Sequence, residues 1–153
     1  MKVVFLDIDG VLNNTKRFRA PKGTYVLDPI ACGMFVKFVE DNRIAVVLSS
    51  TWRLYEDHVL FLTQAGILDN LHEDGQTLEL EMEDKWQPPT RADEVQEWLN
   101  RHPEVTHYVI FDDWENGFTE KHAKHFIKTN EHLGLQPEHI NKAIEILEIN
   151  NES

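Results

Sequence analysis

The chain has 153 residues, 41% of them hydrophobic, and 15 basic against 27 acidic side chains give a net charge of −12. That is the length of one compact domain with enough apolar material for a core, here expected over residues 1–150 with a frayed C-terminal end. The acidity works against tight nonspecific binding to polyanions, which depends on neutralising phosphates, but it suits a site that collects divalent cations. The single cysteine, Cys32, excludes an intrachain disulfide and fits a reducing compartment. The opening apolar run, Val3 to Leu6, is shorter than a secretory leader requires, and no window approaches the roughly 20 apolar residues of a membrane helix. The expectation is a cytoplasmic protein without a membrane partner.

Val3 to Leu6 reads as a strand buried on both faces. Asp28-Pro29 marks a helix start, with Asp as cap and Pro in the first turn, followed by Ile30, Met34, Val36, Phe38 and Val39. Ile44 to Leu48 is a second buried strand. Leu54 to Ala65 is expected as a helix that Gly66 stops. A short edge strand is expected near Thr77 to Leu80, where Glu79, Glu81 and Glu83 alternate with Leu80 and Met82 as on an exposed edge. Thr90 caps a helix carrying Val95, Trp98 and Leu99, with Asp93 placed for a capping box, and His102-Pro103 closes it. Tyr108 to Phe111 is a third strong strand and His125 to Lys128 a weaker one. Pro137 opens a last helix with Ile140, Ala143, Ile144 and Leu147.

Buried strands alternating with amphipathic helices imply an α/β fold, a Rossmann-like parallel sheet in three layers, with helices on both faces. Ligands of such sheets bind at the carboxyl ends of the strands, so the residues just after each strand carry the functional reading. They are Asp7-Ile8-Asp9-Gly10, then Ser49-Ser50-Thr51, then Asp112-Asp113. Taken singly, a DxD is common in turns, an Asp pair is usually solvated, and Ser-Ser-Thr after a strand is most often a helix cap. Taken together, three strand ends bring four carboxylates and a group of hydroxyls to one edge.

Carboxylates packed in this way repel and raise one another's pKa values, and a hard cation such as Mg²⁺, which prefers oxygen ligands, relieves the repulsion. An ionised Asp can then attack phosphorus and become an acyl phosphate. Its neighbour can protonate the leaving alcohol and later activate water. Hydroxyls and a cationic side chain can hold the phosphate oxygens as charge develops.

These motifs resemble those of the haloacid dehalogenase superfamily of phosphatases. Asp7-Ile8-Asp9-Gly10-Val11-Leu12 is similar to the first motif, which implies Asp7 as nucleophile and Asp9 as general acid/base. The strand ending in Ser49 resembles the second motif, whose hydroxyl binds the phosphoryl group, with Ser50 one residue on as a further substrate contact. Asp112-Asp113 resembles the acidic fourth motif, which completes a Mg²⁺ site with Asp7 and Asp9; either aspartate of the pair can be the direct ligand. Arg91 stands where the third motif has its Lys or Arg, with Lys85 competing. More narrowly, Val47 to Arg53 and Arg91 to Leu99 resemble the phosphatase domains of "Swiss Army Knife" RNA-repair proteins. The resemblance implies a Mg²⁺-dependent phosphomonoesterase acting on a phosphorylated small molecule or a polynucleotide end. The loop space after the first motif and the gap from Thr51 to Arg91 leave no room for a large cap domain, so an open cleft is expected. Two other readings use the same residues. One is a receiver-type phosphoacceptor, which the motif order opposes; the other is a binding domain without catalysis.

Arg53, at the start of the helix after Ser49, either touches the substrate phosphate or pairs with a local carboxylate. Trp52 and Trp114, each next to a motif, can stack a base, but packing beneath the loops is expected of both. Lys16, Arg17, Arg19 and Lys22 read as a solvated loop, with a basic lip as the alternative. His122, His125, His132 and His139 lack the spacing of a zinc site, and structural roles are expected. Cys32 is expected to be inert.

Overall fold

The computed structural model describes residues 1–16, 26–82 and 86–149. Five strands form one wholly parallel sheet: β1 (Lys2–Leu6), β2 (Ala45–Leu48), β3 (Leu71–Gln76), β4 (His107–Asp112) and β5 (Phe126–Lys128). Their spatial order is β3-β2-β1-β4-β5. Helices α1 (Pro29–Asp41), α2 (Glu56–Gln64), α3 (Arg91–Asn100), α4 (Phe118–Lys121) and α5 (Pro137–Ile146) lie between and after the strands. After β1 the chain winds outward through β2 and β3, then returns to the other side of β1 for β4 and β5. The winding reverses at the β1–β4 junction, which is where an open α/β sheet has its crevice.

The strand β1 shows why both faces are covered. Val4 and Leu6 enter one core with Phe35 and Phe38 of α1, Leu62 of α2 and Ala143 of α5. Val3 and Phe5 enter a second core with Ala92, Val95 and Trp98 of α3 and Phe118 of α4. Successive strand side chains point to opposite faces, so an unbroken apolar run fills two cores at once. The result is the expected three-layer sheet, and among the described residues no cap domain is inserted. No described helix is long and apolar enough to cross a membrane.

Local chemistry sets the helix starts as the sequence suggests. The Asp28 side chain accepts the Ile30 N–H at 2.9 Å, and Pro29 occupies the first turn of α1. Thr90 and Asp93 form a reciprocal capping box at α3, at 3.2 and 2.9 Å.

Two expectations are corrected. The edge strand runs over Leu71–Gln76, not Thr77 to Leu80. The strand sequence LHEDGQ has no apolar run to reveal it. It is held through its main chain and by the Trp98 indole, which donates to the Asp74 carbonyl at 2.9 Å. By Thr77 the chain is leaving the sheet, so Glu79 and Glu81 sit in irregular backbone; Glu83 lies outside the described residues. The helix expected from Leu54 is instead a 3₁₀ turn, Thr51–Leu54, capped by Ser50, then an extended Tyr55, then α2 from Glu56.

Cys32 is half-buried, and burial together with nearby Asp28 pushes its thiol to about 12, which keeps it protonated and unreactive. His125 stacks on Tyr108, His122 hydrogen-bonds the Tyr108 hydroxyl at 2.7 Å, and His139 accepts the Gln136 N–H at the start of α5. His132 hydrogen-bonds Thr15. The structural roles expected of these histidines are what the molecule shows.

At the end of the sheet opposite Asp7, His102 stacks on Trp98 with ring centroids 3.9 Å apart and bonds to Asp74 and Glu104 at 2.8 and 2.9 Å. Burial opposes its charge, but these two carboxylates outweigh that and raise its pKa above 6.5. A raised folded-state pKa contributes stability that is complete below the unfolded value and fades as pH rises through the folded one. The stability gap between wild type and His102→Gln is therefore expected to be wider at pH 6 than at pH 8 in thermal melts. Trp98 is fully buried between α3 and the sheet. Trp98→Ala is expected to cost about 3–5 kcal/mol in urea denaturation.

Candidate active site

The parallel register places the strand ends level with one another. Leu6 pairs with Leu48 on one side and with Phe111 on the other. Asp7, Ser49 and Asp112 consequently emerge side by side, with Asp113 and Gly10 just beyond. The main chain is fastened at these points: Asp7 N donates to Phe111 O at 3.0 Å, and Ser49 N to Leu6 O at 3.1 Å.

Asp7, Asp112 and Asp113 form a cluster whose ligand oxygens all lie within 4.8 Å of one another. Asp7 is 4% exposed and Asp112 is fully buried. Arg91, in the first turn of α3, reaches both, with Nη1 2.7 Å from Asp112 Oδ2 and 3.1 Å from Asp7 Oδ1. Burial opposes the guanidinium's charge, yet Asp7 and Asp112 raise its pKa above the ordinary value. The capping box fixes the turn that carries this arginine, so a local sequence signal positions a side chain of the site. Lys85 lies outside the described residues.

One guanidinium faces three clustered carboxyl groups. Burial first, then the charge of Asp112, lifts the Asp7 pKa well above its ordinary value, and Arg91 only partly offsets this. Asp113 is also raised, chiefly by burial. An all-oxygen donor set under this much mutual repulsion fits a small hard cation, with Asp7, Asp112 and Asp113 as the carboxylates able to hold it.

Asp112 is the more fully engaged of the acidic pair. Its Oδ1 accepts from the Trp114 N–H at 2.9 Å and from Asn116 Nδ2 at 3.2 Å, while Oδ2 receives Arg91. Asp113 leans over Gly10. A Cβ built on that glycine would lie 2.3 Å from Asp113 Oδ2, and its φ of +79° already belongs to the left-handed region. The glycine of the DxDG motif therefore makes room for a carboxylate from another strand.

Asp9, expected as a fourth metal carboxylate, lies outside this cluster. Its side chain is exposed, and its two oxygens accept Asn13 Nδ2 at 2.8 Å and the Trp52 indole N–H at 2.9 Å. Those two bonds hold its side chain apart from the Asp7, Asp112 and Asp113 cluster. Trp52 is otherwise buried, as expected.

The two serines have different duties. Ser50 Oγ accepts the Trp52 N–H at 3.2 Å and caps the 3₁₀ turn. Ser49 Oγ is buried and has no hydrogen-bond partner in the protein. Such a hydroxyl is costly unless something else satisfies it. Arg53, expected either on the substrate phosphate or on a local carboxylate, makes the carboxylate contact. It is buried and bonds to the Thr77 and Ser50 carbonyls at 2.8 and 2.9 Å, and to Glu94 at 3.3 Å. Its guanidinium braces the loop after β2 against α3. Trp114 corrects the expectation of packing, since its side chain is 70% exposed. Lys16 is exposed, and Arg17, Arg19 and Lys22 lie outside the described residues.

Sequence reasoning passed over Thr129, whose hydroxyl donates to the Gly10 carbonyl at 2.7 Å, and Asn13, whose Oδ1 accepts the Gly10 N–H at 2.8 Å. Asn13 is three residues from Gly10 and was legible as a local turn contact. Thr129 is 119 residues away, and only the pairing of β5 with β4 brings it in. A second group, His72, His102 and Glu104, also has ligand atoms within 4.8 Å of one another, but Asp74 and Glu104 already occupy both His102 nitrogens.

No curated protein sequence matches the chain. A family model described as "HAD domain in Swiss Army Knife RNA repair proteins" matches residues 3–140, from the first strand to the last helix and across every motif that meets at this crevice. With the parallel sheet and these strand-end residues in place, the chain belongs to that family of the haloacid dehalogenase superfamily.

Proposed function

We propose that the chain is a Mg²⁺-dependent phosphomonoester hydrolase that works through an aspartyl-phosphate on Asp7. Membership of the family supports phosphatase-type hydrolysis. The observation that carries the finer reading is the buried, unpartnered Ser49 hydroxyl, level with an Asp7 carboxylate crowded by like charge. A phosphoryl group entering there meets an acceptor-hungry hydroxyl, the Arg91 guanidinium and a nucleophile.

In this mechanism an Asp7 oxygen attacks phosphorus while the bond to the leaving alcohol breaks. Asp9 gives its proton to the departing oxygen, then takes one from the water that attacks the phospho-aspartate and releases inorganic phosphate. Trp52 and Asn13 hold the Asp9 side chain where the leaving group departs. Arg91 and Ser49 hold the phosphoryl oxygens as negative charge builds on them. Asp7, Asp112 and Asp113 would hold Mg²⁺, with Asp113, the less engaged of the acidic pair, as the direct ligand beside Asp7. When bound, the cation supplies the charge neutralisation that lets an anionic nucleophile approach an anionic ester. The uncapped crevice admits a bulky leaving group, so a polynucleotide end or a nucleotide is the leading substrate class.

Phosphate release from a panel of aryl, sugar, nucleoside and oligonucleotide phosphates tests the reading. Asp7→Asn and chelation of Mg²⁺ are each expected to reduce release by at least about 10³-fold. Turnover that survives in Asp7→Asn would overturn the mechanism. Ser49→Ala is expected to lower kcat/KM by about 10²-fold with no loss of thermal stability, because the hydroxyl makes no bond within the protein. A fall in stability without a fall in activity would assign Ser49 a structural role instead.

A further inference from the structure

An indole 70% exposed beside a buried cluster of charge has no structural use that the fold reveals. Trp114 is nevertheless held in place at its main chain. Its N–H is bound to Asp112 Oδ1, and Asn116, two residues on in a left-handed conformation (φ 44°), donates to the same oxygen. The loop that carries the indole is thus tied to the carboxylate that Arg91 also grips.

Two clefts flank this loop. One, of about 590 Å³, is lined by Pro88, Pro89, Thr90 and Arg91 on one side and by Trp114 to Gly117 on the other. The second, of about 560 Å³, runs past Asp113 toward residues 128–139. Among the described residues only Trp114 and Lys128 line both, so they form the ridge between them. The first cleft shares Arg91 with the carboxylate cluster, because the guanidinium of this residue reaches Asp7 at 3.1 Å. Its walls offer the flat rings of two prolines and an indole, with the half-exposed Lys128 at the rim. Its volume lies in the range that takes a small organic ligand.

We infer that Trp114 is a stacking platform for a nucleobase, which lies in the cleft shared with Pro88, Pro89 and Arg91 and belongs to a nucleoside phosphate whose phosphoryl group sits at Asp7. This deepens the phosphatase reading and rests on it for the position of the phosphate. The chemistry is that of a planar, polarisable ring meeting an indole face, which tolerates any base and provides affinity independently of phosphate contacts. Lys128, whose Nζ lies 3.8 Å from Glu115 Oε1, lines the same cleft. The side chain of Trp114 touches no reacting atom in this arrangement and serves to select the leaving group.

The test compares adenosine 3′- and 5′-monophosphates with ribose 5-phosphate, which carries the same phosphoryl group without a base. Two readouts are used with Mg²⁺: kcat/KM in the otherwise wild-type chain, and calorimetric affinity in an Asp7→Asn background, where the ligand is not consumed. Trp114→Ala is expected to weaken the adenosine ligands about 5- to 100-fold, mainly through KM, and to leave ribose 5-phosphate unchanged. Trp114→Phe is expected to recover most of the difference. Equal affinity for the adenosine and ribose ligands in wild type, or an adenosine preference that survives Trp114→Ala, would overturn the inference. If no phosphomonoester is turned over, the phosphatase reading fails by itself, and the binding measurement still decides whether Trp114 holds a base.

Discussion

Negative charge concentrated in a buried position is the constraint around which this molecule is arranged. Three carboxylates share the crevice where the sheet reverses its winding, and one guanidinium accompanies them. Buried charge is expensive unless it is paired and hydrogen-bonded. Arg91, Asn116 and the Trp114 N–H together occupy the oxygens of Asp112, and the remaining imbalance falls on Asp7 and Asp113. Stability and function pull against each other at this point. An apolar residue at either position would make an easier core, but the chain keeps a repulsion that a bound cation would relieve.

Much of the surrounding structure serves to hold that arrangement still. The capping box of Thr90 and Asp93 sets the first turn of α3 and with it Arg91. Thr129 and Asn13 clamp the carbonyl and the N–H of Gly10, the residue over which Asp113 leans. Arg53 and Glu94 brace the loop that presents Ser49, while Ser50 spends its hydroxyl on the backbone. Adjacent serines thus differ: one caps the turn, and the other has a buried hydroxyl without a partner in the protein. Trp52 does two jobs, filling the core beneath the loop and orienting Asp9 with its indole N–H.

The lip of the crevice obeys different physics. The interior is dominated by pairing of charge, whereas the clefts beside it are lined by Trp114, two prolines and scattered polar groups. With no cap among the described residues, these surfaces lie open beside the crevice. On the proposed reading, an acidic protein could not rely on broad electrostatic attraction to collect a phosphorylated ligand. Arg91, Lys128 and an aromatic face would offer short-range recognition instead.

The layered sheet was legible because Val3 to Leu6, Ala45 to Leu48 and Tyr108 to Phe111 are apolar throughout, as strands covered on both faces must be. The caps at Asp28 and Thr90 and the strand-end positions of Asp7, Ser49 and Asp112 followed from short-range chemistry in the same way. The edge strand Leu71–Gln76 was not legible, since its main-chain pairing and its contact with Trp98 hold it without an apolar pattern. Only the tertiary structure decided which hydroxyl stays unpartnered, that Arg53 turns inward to Glu94, that Asp9 stands apart from the other carboxylates, and that Trp114 faces solvent. Each of these depends on contacts between residues far apart in the chain, such as Arg53 with Glu94, Trp52 with Asp9 and Thr129 with Gly10. Side-chain direction at a strand end is set by which neighbour arrives from another strand or helix, and local residue order carries no record of that.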